Sequence, residues 1–384
     1  MQAIYSQLIS KALSISERSV ARTIGLLDEG ATIPFISRYR KEMTDGLDEI
    51  QIGEIKQQYE KLQELSKRKE TILNTIEEQG KLTPELRSRI ENSWDSAELE
   101  DIYLPYKPKK QTRAEIARKK GLEPLAKILM AQNERDVERR AAGFVNQDVK
   151  DVDEALQGAR DIMAEWVNET EGARHTIRNI FNREAVIASK VIKGKEADGA
   201  KFRDYFDFSE SLHKSSSHRI LAMRRGEAEG ILRVSISPDD EHCLEALHRR
   251  FVKGVNASSE QVEMAVKDCY KRLLKPAIET EFAALSKAKA DKQAIRVFAE
   301  NLRQLLLSPP LGQKRVLGID PGFRTGCKIV CLDAQGVLLH NEAIYPHPPQ
   351  NEIHKAGAKI VSLVSAYAID AIAIGNGTAS RETE

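Results

Sequence analysis

The chain has 384 residues, of which 41% are hydrophobic, 30% charged and only 5% aromatic, with a net charge of +1. That length accommodates about two to four domains with largely aliphatic cores, and the near-zero charge excludes a globally cationic nucleic-acid binder, leaving local patches as the source of any polyanion affinity. Met1-Gln2-Ala3-Ile4-Tyr5-Ser6-Gln7 has no signal-peptide pattern and no apolar run of roughly 18 residues occurs, which predicts a cytoplasmic protein without membrane contact.

Cys243, Cys269, Cys327 and Cys331 form no Cys-x-x-Cys pair, and the histidines form no His-Glu-x-x-His. Neither a disulfide framework nor a structural metal is expected, and no cofactor.

From Tyr5 to Leu27 apolar residues recur at helical spacing, with Ser14 and Glu17 as a capping box for the second helix and Gly30 as its stop. Gly30 to Lys41 predicts a turn and a short helix whose basic face carries Arg38 and Arg40. The pattern is helix-turn-helix-like, and the plainer alternative is an ordinary three-helix packing element. Asp48 to Gln79 predicts a long helix with Ile55, Tyr59, Leu62, Leu65, Ile72 and Ile76 as its apolar stripe, and Thr83-Pro84 starts the next.

In Leu99 to Arg113 two prolines predict an extended run, after which Thr112 and Glu115 cap a helix reaching Gly121. Lys107, Lys109, Lys110, Arg113, Arg118, Lys119 and Lys120 make this the densest single-sign cluster in the chain. An extended Lys/Pro segment before a helix N-terminus offers ammonium and backbone N–H groups to the same phosphates, whereas the plainer reading is a solvated loop. Tyr103 and Tyr106 read either as base-stacking residues or as buried anchors.

Val152 to Trp166 predicts an amphipathic helix, and Ala185 to Ile192 fits a strand or a buried helix equally. Phe202, Tyr205, Phe206 and Phe208 lie beside Lys201 and Arg203, a grouping that plugs a core or stacks bases. His218–Glu229 reads as helix, Ile231–Ile236 as strand, and the region beyond Ser259 as helix up to Leu307. Ser308-Pro309-Pro310 marks the clearest boundary. The expected domains are a helical part over 1–80, a helical central region with a few strands over 81–310, and an α/β domain over 311–384.

In that last domain Val316–Ile319, Cys327–Leu332, Val337–Ile344 and Asp370–Ile374 read as strands and Glu352–Ala368 as a helix. The Asp320-Pro321-Gly322 turn leaves a carboxylate at the open end of a buried strand, where metal-dependent nucleases keep a magnesium ligand. After the fourth strand the chain reads Gly375-Asn376-Gly377-Thr378, a glycine-rich loop that opens a helix. Asp320, Arg324, Gly375, Asn376, Gly377 and Thr378 therefore form a candidate anion pocket at adjacent strand ends, and a turn with a helix cap is the plainer alternative.

Five stretches, Gly30–Lys41, Leu99–Arg113, Gly194–Asp207, Leu317–Gly326 and Ala373–Glu384, together resemble the bacterial Tex family of transcription accessory proteins. The resemblance implies a mainly α-helical N-terminal region with a helix-turn-helix-like part, then a YqgF-type domain of RNase H-like fold. In the family, helix-hairpin-helix units and a C-terminal OB-fold that binds RNA or single-stranded DNA follow. Ending at Glu384, the chain is expected to carry an incomplete RNase H-like domain, and Ala371–Ile374 is expected to be an apolar edge prone to self-association.

The favoured reading is a non-catalytic, nucleic-acid-binding accessory factor for transcription. Lys107, Lys109, Lys110, Arg113, Lys119, Lys120, Arg38 and Arg40 would contact RNA or single-stranded DNA, and the partners would be RNA polymerase or ribosome-associated transcription machinery. The alternatives are a RuvC-like metal-dependent nuclease using Asp320 and a protein-docking module.

Overall fold

The structure, a computed structural model, describes residues 2–109, 111–323, 325–377 and 379–384; Lys110, Arg324 and Thr378, singled out above, lie outside the described residues. The chain divides into two units between Ala294 and Ile295.

The first unit opens with α1 (Gln2–Leu13), α2 (Glu17–Asp28) and α3 (Ile33–Tyr39). Ser16, not Ser14, caps α2 by accepting from the Ser19 N–H. Ser14 is instead the left-handed residue, at φ 56°, that reverses the chain, so the cap falls two residues later. Pro34 sits in the first turn of α3, where its missing N–H costs nothing. A complete capping box of Asp48 and Gln51 then opens α4 (Glu49–Glu78). Ile9, Val20, Ile24, Ile36, Ile52 and Ile55 are buried in one aliphatic core.

The far half of α4 packs on α5 (Pro84–Asn92) and α6 (Ser96–Tyr103) through Ile72, Ile76, Ile90, Leu99 and Ile102. Helix here corrects the expected extended run. Pro105 sits in the first turn of a 3-10 segment, Leu104–Tyr106, so it interrupts no ladder, and the chain extends only from Lys107. Tyr103 is buried in this core, an anchor and not an exposed ring.

Trp94 packs against both cores, and Lys69 lies under it. The Lys69 ammonium is 3.4 Å from the indole centroid and donates to the Glu91 carbonyl at 2.8 Å. Lys69 is only 6% exposed.

Next come α7 (Arg113–Lys119), α8 (Glu123–Met130), α9 (Val137–Ala142), α10 (Val152–Glu169) and α11 (Glu171–Glu184). Ala155, Ala159, Ile162, Met163 and Val167 put α10 in the middle of the largest core. Gly158 lets α10 approach closely: a Cβ there would fall 2.4 Å from Leu122 Cδ1 and 3.3 Å from Ala117 Cβ. The ambiguous segment resolves as strand β1 (Val186–Val191), joined by β2 (Asp207–Ser211), helix α12 (Ser217–Ala228) and β3 (Leu232–Ser237). The antiparallel order is β2-β1-β3, with Val186 opposite both Ser211 and Ser237. Phe202 is buried with Ile231 and Leu232, and Tyr205 and Phe206 pack on them, so these aromatics plug a core. Helices α13 (Asp240–Phe251) and α14 (Ala257–Cys269), a π-helical turn Tyr270–Leu274 and α15 (Lys275–Leu306) follow; the division at 294/295 falls inside α15.

In the second unit the elements are β4 (Val316–Asp320), β5 (Cys327–Leu332), β6 (Leu338–Ile344), α16 (Ile353–Ala366), β7 (Ala371–Ile374) and α17 (Ser380–Thr383). The sheet order is β6-β5-β4-β7, antiparallel except for the parallel β4–β7 pair. Leu317, Ile319, Cys327, Ile329 and Cys331 form its core with Ala356 and Leu363 of α16. β7 lies at the sheet edge, with Ile372 half-exposed.

The buried Lys69 has a stability signature. Burial pushes its ammonium down to about 8, although the Trp94 face and the Glu91 carbonyl favour the charged form. A lysine with a depressed folded value binds fewer protons folded than unfolded between pH ~8 and ~10.5, so its contribution to stability rises across that window and is lost on descending it. Lys69→Met should remove this rise, on the order of 3 kcal/mol at most, as read from urea midpoints of both proteins at pH 7.5 and pH 10.

Candidate nucleic-acid interface

The basic run from Lys107 to Lys120 wraps one end of α7 against α10, and α10 presents acids to it. Lys109 Nζ donates to Glu165 at 2.9 Å and also bonds Glu169. Arg118 reaches the same Glu165 oxygen at 2.6 Å, and Thr112 donates to the other at 3.2 Å. Lys120 pairs with Glu154 at 2.5 Å. Burial works to raise Glu165, yet Lys109 and Arg118 outweigh it and hold its carboxyl below the usual range. Burial lifts Glu169 above that range despite Lys109.

The cluster is therefore split. Lys109, Arg118 and Lys120 are committed to internal carboxylates, while Lys107, Arg113 and Lys119 are exposed. The expected cap is present: Thr112 Oγ1 accepts from the Glu115 N–H at 3.1 Å. Arg113 stands between two clefts of about 490 and 340 Å³, both of which Asp161 also lines. Asp161 is buried with only long contacts, 3.4 Å from Gln157 and 3.5 Å from Arg272, and burial raises its pKa.

A second ionic cluster ties α6 to α11 and α15. Asp101 takes Arg174 at 2.5 Å and Arg178 at 2.9 Å, and Arg178 also holds Glu281 at 2.7 Å. Burial opposes the Arg178 charge, but its two carboxylate partners prevail and raise its pKa.

Arg38 and Arg40 are at the solvent side of α3. Arg38 faces Glu49 at 3.5 Å with both side chains more than half exposed, and the Arg40 guanidinium lies 5.0 Å over the Phe35 ring.

In the second unit, β4 and β7 end side by side. The ladder continues one step past β7, the Gly375 N–H donating to Ile319 O at 2.8 Å. Asp320 is exposed, and its Oδ1 is 3.8 Å from where a Gly375 Cβ would sit, so Asp320 and the Gly375-Asn376-Gly377 loop are brought together. Among the described residues no group of three or more His, Cys, Asp or Glu gathers to hold a metal. Sequence reasoning missed the residues that anchor this corner. His347 is buried; the Thr383 hydroxyl donates to Ala379 O at 2.7 Å and so accepts from His347 Nε2 at 2.8 Å. Phe323 meets the His347 ring edge-on at 5.4 Å. No sequence spacing ties His347 to Thr383, which lies 36 residues further on.

Three family models match in order: a Tex-like protein N-terminal domain over residues 3–77, a Tex central region over 132–298 and a Tex protein YqgF-like domain over 314–384. The chain is 41% identical to the Transcriptional accessory protein Tex of Neisseria gonorrhoeae, over 99% of this chain and 50% of that protein. The chain belongs to the Tex family. Bacillus subtilis YdcI, called an uncharacterized protein, is also 41% identical, over 100% of this chain and 54% of its own length. The human S1 RNA-binding domain-containing protein 1 is 32% identical over 98% of the chain and 39% of its own length. The chain thus spans about half the length of the bacterial relatives. Among the described residues of this Tex-family chain, no helix is long and apolar enough to cross a membrane.

The two halves of the basic run should respond differently to mutation. Lys109→Met leaves the part-buried Glu169 without its bonded cation, and should cost about 1–3 kcal/mol of stability, measured by chemical denaturation. Lys107→Met and Lys119→Met, both on exposed side chains, should stay within about 0.5 kcal/mol of the parent.

Proposed function

We propose that this chain acts as a transcription accessory factor that binds RNA or single-stranded DNA and does not cut it. The observation that carries the reading is the whole-chain match to a protein named Transcriptional accessory protein Tex, with the three Tex regions in order. The name of the human relative, which specifies RNA binding, supports the choice of ligand. Contact with the phosphate backbone falls to Lys107, Arg113 and Lys119, the exposed members of the basic run, with Arg38 and Arg40 as a second group. Lys109 and Lys120 act from behind, by fixing α7 on α10. RNA polymerase or ribosome-associated transcription machinery is the corresponding protein partner, in the cytoplasm, and the exposed β7 edge favours pairing with a second copy.

Lack of cleavage follows from the loop facing Asp320, which supplies Gly375 and Asn376 where paired magnesium ions need further carboxylates. The exposed Asp320 carboxylate sustains a second reading, metal-dependent hydrolysis. Magnesium- or manganese-dependent cleavage of RNA or DNA that disappears in Asp320→Asn would establish it and overturn the first.

Binding should be weak and strongly salt-dependent. Each phosphate contact on a single strand contributes about 0.7 to the slope of log K against log salt, so Lys107→Gln/Arg113→Gln/Lys119→Gln should lower that slope by about 2. Fluorescence anisotropy with a labelled single strand at several salt concentrations checks this, and an unchanged slope would remove these residues from the interface.

A further inference from the structure

Helix α3 departs from the pattern expected of a packed helix. Its buried residues are Ile36 and Ser37, yet Phe35 is 39% and Tyr39 64% exposed. The two rings are one helical turn apart on the same face, with centroids 5.6 Å apart and planes tilted by 41°. The Arg40 guanidinium already lies over the Phe35 ring, and its Nη1 donates to the Tyr39 carbonyl at 2.9 Å. Met43, next along the chain, is 38% exposed.

Cationic side chains stand beside the rings. Arg38, Arg40 and Lys41 come from α3 and the turn after it, and Arg22 joins them from α2, its Nη1 donating to Met43 O at 3.3 Å. The neighbouring acids are largely occupied. Asp45 accepts from the Ser19 hydroxyl at 2.5 Å, and Asp48 caps α4 through the Gln51 N–H at 2.8 Å. Glu49 faces Arg38, leaving Glu42 as the acid within this turn without a partner among the described residues.

Flat exposed aromatics set among arginines and lysines suit a ligand that alternates π-faces with negative charge. A protein groove would instead require a contiguous apolar surface depleted of charge at its centre. We propose that Phe35 and Tyr39 form a stacking platform for unpaired bases of a single-stranded nucleic acid, with Arg38, Arg40 and Lys41 engaging the flanking phosphates. The inference rests on the nucleic-acid reading above and adds a base-contacting element to it. Stacking is indifferent to base identity, so the platform grips any unpaired sequence and discriminates against strands that lack bases.

The test uses the 384-residue chain with a labelled oligothymidylate and an abasic strand of equal length, by fluorescence anisotropy. The parent should prefer the base-bearing strand by roughly tenfold, in keeping with stacking on one or two rings. Phe35→Ala/Tyr39→Ala should abolish that preference and leave the salt slope unchanged. Phe35→Leu/Tyr39→Leu, which keeps apolar bulk but no flat face, should do the same and guards against a loss due to local unfolding. Arg38→Gln/Arg40→Gln/Lys41→Gln should reduce the salt slope while the base preference survives. A parent that binds both strands equally, or an aromatic variant that retains the preference, overturns the platform yet leaves backbone binding intact. A parent that binds neither strand overturns the nucleic-acid reading itself, and the platform with it.

Discussion

Carboxylates on the inner face of α10 govern how much positive charge the molecule has left to offer. Glu165 is buried against Lys109, Arg118 and Thr112, which offset the cost of taking its carboxylate out of water. Satisfying it draws Lys109, Thr112 and Arg118 onto α10, alongside the apolar contacts of Ala114 and Ala117. The Asp101 cluster applies the same rule at the junction of α6, α11 and α15. Within this run, cations that meet internal carboxylates hold the packing, and Lys107, Arg113 and Lys119 are the ones left facing solvent.

Much of the fold was legible in the sequence because local signals enclose each element. Cys327–Leu332 was read to the residue: Gly326, at φ 76°, and the Asp333 turn bracket it. The long helix α4 was bounded within a residue by the Asp48 capping box and Gly80. Local signals also misled. Ser14 and Glu17 have capping-box spacing, but the chain reverses at Ser14 itself, and Ser16 takes the cap. Pro105 looked like a breaker and proved to be a first-turn residue, because proline forbids only the interior of a helix.

The candidate site was less legible, for a definite reason. The pairs that divide the basic run join residues 56 and 60 positions apart, Lys109 with Glu165 and with Glu169. Nothing in a window around Lys109 announces them. Charge density along the chain identified the segment, but which cations are free is a tertiary property. Asp320 and the Gly375 loop were the opposite case: a parallel β4–β7 pair places them together, and a strand-by-strand reading was enough. Their anchor, His347 on Thr383, has no such signature.

The π-helical turn Tyr270–Leu274 adds one residue to what would otherwise be an uninterrupted helix. Before it the buried positions are Val262, Ala265, Val266 and Cys269; the turn itself buries Tyr270 and Leu274, and after it come Ile278 and Phe282, one place later than the earlier rhythm projects. The two segments obey different phases, so a heptad-style comparison across them would misalign every inward residue. Because the turn already absorbs one extra residue, deleting a single amino acid there would return it to ordinary α-helix with Ile278 and Phe282 still in the core they share with Phe181.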